Sequence, residues 1–416
     1  MKIAVLGINY YPEITGIGAY TAEMCEYLAA KGHTIDVFTG FPYYPFGEEF
    51  SGWYKECNLK PYSLFAKEKY NGVTIYRTGL YKPKKPNVFK RIFHEMSFFC
   101  TQCLRLLCIN SRYDIIFCIT PPLALGLNAY IFSKLKKAPF VVHIQDLQPD
   151  TAIELGMIKG KTLITLLHTI ERFIYKKAKF ISTIGEGMRE RIIEKGFNPS
   201  KVILLYNWAS LDKMDKISKT NNFSCAHGLN DKFVVLHAGN MGAKQDMVII
   251  LEAAEKLLND TQIKLILVGR GAKRTSVEAF IKEHNLNNVI LLSSQPKEII
   301  KEIFSNCDCA LITQSAKIKD VVMPSKLFGP AAAKKPVIIA SSDDCDIARL
   351  ARKRNFGLVI PAGNSDALVA AIYQLKADKH LAETLGGNAY AFVSEERKME
   401  NIIDNFEQVL LSNISH

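Results

Sequence analysis

Several segments of this chain place glycines, an acid, an amide or a lysine at the end of an apolar run, and each could hold an anion or a sugar. Gly16-Ile17-Gly18 follows the apolar Lys2–Gly7 and precedes a helical pattern, so its backbone amides could face a phosphate at a helix N-terminus. It is not a dinucleotide fingerprint, because Thr21 stands where a third glycine or alanine is needed. A loop whose glycines only relieve strain fits the same residues. His143-Ile144-Gln145-Asp146 ends a nearly all-apolar strand, where ligands sit in open α/β sheets. Asp146 is read as ligand-facing rather than as a helix cap near Pro149. His143 reads equally as a ligand group or a core imidazole with a satisfied hydrogen bond.

Three more segments share that placement further along. Ala238-Gly239-Asn240-Met241-Gly242-Ala243-Lys244 offers backbone amides and an ammonium, the pairing a diphosphate leaving group needs. The plainer reading is a strand-to-helix turn with a solvated lysine. Pro324-Ser325-Lys326 reads as a helix start capped by Ser325, where an anion would gain a helix end and Lys326 together; an ordinary capped helix is the alternative. Gly269 and Arg270, in Val268-Gly269-Arg270-Gly271, could admit a nucleotide base or diphosphate against the backbone. Asp344-Cys345-Asp346 has the look of a metal pair but reads better as the cap and first turn of a helix. No His/Glu cluster has metal-ligand spacing, and no Ser-His-Asp order stands out.

The elements that must position these groups alternate. Thr34–Phe38 reads as a strand, and the short apolar strands Ile115–Ile119, Phe140–Gln145 and Phe180–Ile184 are each followed by a helical pattern. The theme restarts at Phe233–His237 after a polar seam near Asn207–Asn222. Such alternation means a parallel sheet covered on both faces, here twice over. The expected fold class is therefore α/β, two Rossmann-like doubly wound domains facing each other across a cleft. The boundaries are 1–208 and 209–389, with a C-terminal helix, 390–416, that could join the first. A length of 416 residues and 48% hydrophobic content agree with two cores and little disorder. The ten cysteines lack a framework spacing, and Cys100 and Cys103 have no second pair to complete a metal site, so reduced thiols in core positions are expected. The N-terminus does not read as a signal peptide, and the apolar region Ile115–Phe132 is broken by Pro121-Pro122 and Gly126, so no transmembrane helix is expected.

Taken together, the segments INYYPEITGIGAY, HIQDLQPD, STIGEGM, YNW, HAGNMGAKQ, LILVGRGAKR and MPSKLFGPAAAKKPVI resemble glycosyltransferase family four, the retaining transferases with the GT-B fold. The nearest look is to bacterial enzymes of exopolysaccharide, O-antigen and colanic-acid assembly. The resemblance covers nearly the whole chain. It implies a hexosyl or N-acetylhexosaminyl transfer from a nucleotide-diphosphate sugar, UDP-linked, to a glycan or polyprenyl-linked acceptor, with no metal and no covalent enzyme intermediate. It implies that Gly16 and Gly18 lie under the diphosphate, and that Asn240 and Lys244 hold the phosphates with Ser325 and Lys326 facing them. Arg270 and Gln295 would hold the nucleoside, and Asp146, with His143, would contact the sugar or the attacking hydroxyl. One departure stands out: the family's paired glutamates fall at Val321 and Gly329 here, with Asp320 beside the first as a substitute sugar contact.

The charge suggests where the acceptor lives. Lys60–Asn110 holds ten Lys/Arg against Glu68 and Glu95, a net +8 of the chain's +12. Lys82, Lys84, Lys85, Lys90 and Arg91 cluster beside Pro83 and Pro86, ahead of a helical pattern over Val88–Ile109. One face of that pattern carries Phe89, Ile92, Phe93, Met96, Cys100, Cys103 and Leu107, with Phe98 on the polar side. A peripheral contact with an anionic membrane from the cytoplasmic side is one reading. A core helix with a solvated basic flank is the other. Nucleic-acid binding is disfavoured because no reading module is present. A sugar-nucleotide epimerase of the same fold, a non-catalytic nucleotide-sugar-binding subunit and a nicotinamide or flavin oxidoreductase are the rival functions.

Overall fold

The computed structural model describes the chain except residues 14–15, 45–49, 61–62, 84–86, 212–217 and 415–416. Lys84, Lys85 and Pro86 of the basic cluster thus lie outside the described residues. Two compact units form: Met1–Tyr206 with Glu400–His416, and Asn207–Met399.

The first unit starts with β1 (Lys2–Leu6), α1 (Ile17–Ala30), β2 (Thr34–Gly40), α2 (Ser51–Glu56), β3 (Phe65–Tyr70) and β4 (Val73–Thr78). It continues through α3 (Val88–Leu107), β5 (Ile115–Thr120), α4 (Leu125–Lys136), β6 (Phe140–Ile144), α5 (Asp150–Glu154), α6 (Lys161–Lys177), β7 (Ile181–Thr183), α7 (Glu186–Glu194) and β8 (Val202–Leu204). The sheet order is β3-β4-β2-β1-β5-β6-β7-β8, parallel except for the β3–β4 pair. β5 is buried at all six residues because helices cover both faces. The chain leaves β1 toward β2 but leaves β5 toward β6, so the order reverses between β1 and β5. Ligands of doubly wound sheets bind at the carboxyl ends of the strands beside such a reversal.

The second unit comprises α8 (Asn222–Ala226), β9 (Phe233–Ala238), α9 (Met247–Lys256), β10 (Ile263–Val268), α10 (Arg274–Glu283), β11 (Val289–Leu292), α11 (Lys297–Asn306) and β12 (Cys309–Thr313). α12 (Phe328–Ala332), β13 (Val337–Ser341), α13 (Asp346–Arg354), β14 (Gly357–Pro361), α14 (Ser365–Ala377) and α15 (Lys379–Glu396) follow. Its all-parallel sheet runs β11-β10-β9-β12-β13-β14 and reverses between β9 and β12. Alternate residues of β9 go to opposite cores: Val235 packs in one cluster with Leu265 and Leu311, Val234 and Leu236 in another with Ile266 and Ile303. That two-sided burial is what the continuous apolar runs require.

The tail differs from the single helix expected over its apolar positions. α15 ends at Glu396, Ala209 bridges to Lys398, and a separate helix α16 (Met399–Ile414) returns to the first unit. There Phe406 packs on Phe117 and Phe180, and Lys31 and His33 pair with Glu407.

α3 decides against one of the two readings of its sequence, the core helix. A core helix would turn its apolar stripe inward. Instead His94, Phe98, Gln102 and Leu106 are buried, while Phe89, Ile92, Phe93, Met96, Leu104 and Leu107 are exposed. The inner face docks through hydrogen bonds. Gln102 Nε2 donates to Phe38 O at 3.0 Å, Asn128 Nδ2 to Phe99 O at 3.0 Å, and Thr101 Oγ1 to Gly79 O at 2.6 Å. No described helix is long and apolar enough to cross a membrane.

Candidate functional site

In the second unit, the loops after β9 and β10 cross in contact because they are glycine there. Gly239, Gly269 and Gly271 have φ of 133°, 145° and 150°, a region L side chains avoid. A Cβ at Gly269 would lie 2.0 Å from Gly239 O, and one at Gly239 would lie 2.6 Å from Lys326 Cε. The crossing is fixed by Gly239 N donating to Val268 O and Met241 N to Arg270 O, both at 2.8 Å. The Asn240 side chain lies over Gly271, where a Cβ would meet Oδ1 at 2.5 Å. Ser315 N donates to Lys244 O at 2.9 Å, tying this loop to the one after β12 at the strand-order reversal.

Lys326 enters this loop cluster from a distant segment. Its ammonium donates to Gln245 Oε1 at 2.7 Å, Asn240 O at 3.1 Å and His237 Nε2 at 3.2 Å. All three acceptors are neutral. Burial holds the His237 ring well below the usual histidine range, with the Lys326 charge as a second cause, so its Nε2 can accept. Burial also pushes Lys326 down to about 7. A half-buried cation whose hydrogen-bond acceptors among the described residues are all neutral, set at the carboxyl end of β9, favours an anion above any neutral ligand.

The other expected residues fall at different distances from this cluster. Arg270 is half-buried beside the crossing. Gln295 follows β11, where its Nε2 donates to Ser293 O at 3.1 Å. Ser325 does not cap: Pro324 occupies the N-cap position, no side chain bonds there, and Ser325 opens a single 3₁₀ turn before the five-residue α12. Asp320, expected as a sugar contact, has other work. Its Oδ1 accepts from Asp346 N at 2.6 Å and its Oδ2 faces Arg349, so it caps α13. At Gly329 a Cβ would lie 2.4 Å from Phe304 Cζ, so any side chain there requires that ring to move.

In the first unit, Gly16 precedes α1 with φ 65° and no side-chain cap bonds the helix. Gly18 lets the helix close on the preceding loop: a Cβ there would sit 3.2 Å from Glu13 Cβ. Glu13 was not singled out from the sequence, although a lone acid in an apolar loop was the available signal. Its buried carboxyl accepts from Tyr43 N and Tyr44 N at 2.9 Å and from Asn9 Nδ2 at 2.7 Å. These bonds join the loop after β1 to the loop after β2. Burial pushes it up to about 7 from an ordinary 4.5 despite those donors. The folded state therefore holds the extra proton between about 4.5 and 7, and stability falls as pH rises through that window. Glu13→Gln is expected to flatten this slope in thermal melts across the same pH range; an unchanged slope would assign it to another group.

His143 and Asp146 end β6 as expected but differ in setting. The buried His143 ring has Nδ1 3.0 Å from Ser182 Oγ and Nε2 2.9 Å from Gln145 Nε2, and burial lowers it to about 3. It is a neutral imidazole with both nitrogens engaged inside the protein. Asp146 is half-buried, and Thr151 Oγ1 donates to its Oδ1 at 2.6 Å. The next residue before Thr151, Asp150, belongs to a buried ion cluster. Lys195 Nζ lies 2.8 Å from Asp150 Oδ2 and 2.7 Å from Glu171 Oε1, with Arg191 and His168 alongside. Asp150, His168 and Glu171 bring three possible metal-ligand atoms within 4.8 Å of one another, and Lys195 already bonds both carboxylates. Lys195→Ala would take the nearest ammonium from two buried carboxylates, leaving them Arg191 and His168, and is expected to cost about 3 kcal/mol, with Lys195→Arg recovering part of it in denaturant titration. A loss below about 1 kcal/mol would mean the cluster is solvated.

A family model described as "Glycosyl transferase 4-like domain" matches residues 15–208, and one described as "Glycosyl transferases group 1" matches residues 220–392. A protein of Escherichia coli K12 named as a colanic acid biosynthesis glycosyl transferase, WcaI, is 31% identical over 98% of both chains. Among solved structures, sucrose-phosphate synthase from Thermosynechococcus elongatus superposes with a TM-score of 0.74 at 16% identity, covering 100% of this chain and 99% of its own. Anabaena HepE in complex with UDP-glucose gives 0.71 at 16% identity, covering 99% of this chain and 100% of its own.

Proposed function

This chain belongs to the glycosyltransferases, with the GT-B fold of two parallel-sheet α/β units, and from that premise we propose that it moves a sugar from a UDP-linked donor, with retention, to a glycan or polyprenyl-linked acceptor in cell-surface polysaccharide assembly. The observation that carries the donor reading is Lys326, a half-buried ammonium whose hydrogen-bond acceptors among the described residues are all neutral, beside two glycine loops. A diphosphate would supply the missing countercharge. HepE, of the same fold, is recorded with UDP-glucose, which supports a uridine nucleotide.

As the glycosidic bond breaks, the leaving diphosphate gains charge. Fixed groups in a water-poor site stabilise that charge more in the transition state than in the ground state. Lys326, Lys244 and the amides of the Gly239 loop are assigned this role, and Gly16 and Gly18 keep the donor-binding role that the resemblance implies. Arg270, Gln295 and the loop at Gly269 are assigned to the nucleoside. Asp146 is assigned to the sugar or the attacking hydroxyl, and the acceptor attacks from the face the leaving group departs. His143, neutral and engaged at both nitrogens, is better suited to holding the end of β6 than to moving a proton. The reading gives the charge to residues of the chain rather than to a metal, so chelation is expected to leave turnover unchanged. Loss of turnover with EDTA, restored by a divalent cation, would overturn that part.

The test is release of UDP from UDP-sugars with and without a polyprenyl diphosphate-linked glycan. Release that requires the acceptor, and a product with the donor's anomeric configuration by NMR, is the expected result. An inverted product would overturn retention. A changed sugar on UDP with no acceptor present would favour an epimerase.

A further inference from the structure

We infer that α3, α4 and α6 form one docking face for an anionic lipid bilayer, with α3 lying in the plane of the headgroups. The three helices follow β4, β5 and β6 in crossovers that all advance the same way along the sheet, so right-handedness places them on one side of it. They touch in sequence: Asn128 of α4 bonds Phe99 O of α3, and Tyr130 of α4 meets Phe173 of α6 edge-on at 5.0 Å.

Their outward surfaces are apolar where solvent-facing helices are polar. On α3, Phe89 is 82% exposed and Phe93 61%, and Ile92, Met96, Leu104 and Leu107 continue the stripe at helical spacing. Ile131 and Leu135 are exposed on α4, and Leu163, Leu166 and Phe173 on α6. Scattered exposed leucines need no explanation, but a stripe along a helix of about 30 Å, shared with two neighbours, does.

Charge selects the occupant. The three helices carry only two acids: Glu95 is partly shielded, and Glu171 is buried against Lys195. The exposed charges on them are Lys90, Arg91, Lys134, Lys161, Arg172, Lys176 and Lys177, and Lys137 follows α4 directly. A second copy docking through the same face would oppose like charges across an isologous contact. An anionic bilayer offers acyl chain to the stripe and phosphate to its rim. The inference takes from the proposed function only a reason to approach lipid, the polyprenyl-linked acceptor.

The test is flotation of the full chain with vesicles of phosphatidylcholine alone and of phosphatidylcholine with phosphatidylglycerol, no sugar substrate present. Binding is expected to the anionic vesicles, with at least about a tenfold preference over the neutral ones. The double substitution Phe89→Ser and Phe93→Ser is expected to weaken it about a hundredfold, with little change in melting temperature because both rings are mostly exposed and Phe93 gives up only an edge contact with Tyr81. Lys134→Glu with Lys137→Glu is expected to weaken it about tenfold. Equal binding by the phenylalanine variant, or none by the wild type, would overturn the inference. An unchanged affinity in the α4 variant would overturn the three-helix face. A dimer in analytical ultracentrifugation that the phenylalanine variant dissolves would assign the face to a second copy instead. Vesicle binding without any glycosyl transfer would leave this inference standing and remove the proposed function.

Discussion

Lys326→Met is expected to lower turnover between about a hundredfold and a thousandfold while leaving the fold intact or firmer. The loss follows from removing an ammonium held against the Gly239 loop by His237, Asn240 and Gln245. Deleting a single fixed donor to a developing oxyanion costs about that much in other enzymes. The stability sign follows from the depressed Lys326, which lies at about 7 against an ordinary 10.5. A lowered lysine means the folded state binds fewer protons than the unfolded state across that window. Stability therefore rises with pH between about 7 and 10.5, and at neutral pH the buried charge costs free energy. Methionine fills the same volume without that cost. Steady-state kinetics and thermal melts at pH 7 and 9 separate the two effects. A variant that unfolds would make Lys326 structural, and one that turns over normally would remove it from the donor site.

Gly269→Ala is expected to cost about 3 kcal/mol or more, roughly 6–12 °C in melting temperature for a domain of this size. Two penalties add. The residue sits at φ 145°, and the new methyl group would stand 2.0 Å from Gly239 O, a backbone atom that cannot rotate away. Gly363→Ala is the control. It also has positive φ, 74°, but nothing lies within 4 Å of the added carbon, so about 1 kcal/mol is expected. Equal losses in both would mean the loops do not cross so closely. If the Gly269 variant folds, its Kd for UDP should rise more than its stability loss explains, because the loop's amides will have moved.

The two-sheet architecture was legible because its strands are buried on both faces and therefore read as unbroken apolar runs, as in Ile115–Thr120. The β3–β4 hairpin was not read, although Asn71-Gly72, both at positive φ, supplies a turn signal. Its lysines drew attention as charge instead. α3 shows a different limit. Periodicity finds the apolar stripe of a helix but not the direction it faces, and here Gln102, Thr101 and Asn128 dock the polar side through hydrogen bonds that composition does not reveal. The glycine loops were found because glycine at a strand end has few other uses. Lys326 was legible as an anion contact after Pro324, but its seat beside the Gly239 loop was not, since its acceptors His237 and Gln245 lie more than eighty residues away. Glu13 was hidden for the same reason: its donors Tyr43 N and Tyr44 N are backbone groups of another loop. Asp320 shows the converse, an acid that suggested a ligand contact and instead caps a helix twenty-six residues on.

On this account a half-buried lysine bonded to neutral acceptors marks the seat of a nucleotide diphosphate. Isothermal titration of UDP into the wild type and Lys326→Met, at pH 8 in two buffers of different ionisation enthalpy, tests it most directly. Lys326 is depressed to about 7 in the free chain, so it should take up a proton as the diphosphate arrives. The expected result is binding by the wild type with net proton uptake, and both the uptake and most of the affinity lost in the variant. Equal affinity in the two proteins, or binding with no proton linkage in either, would contradict it.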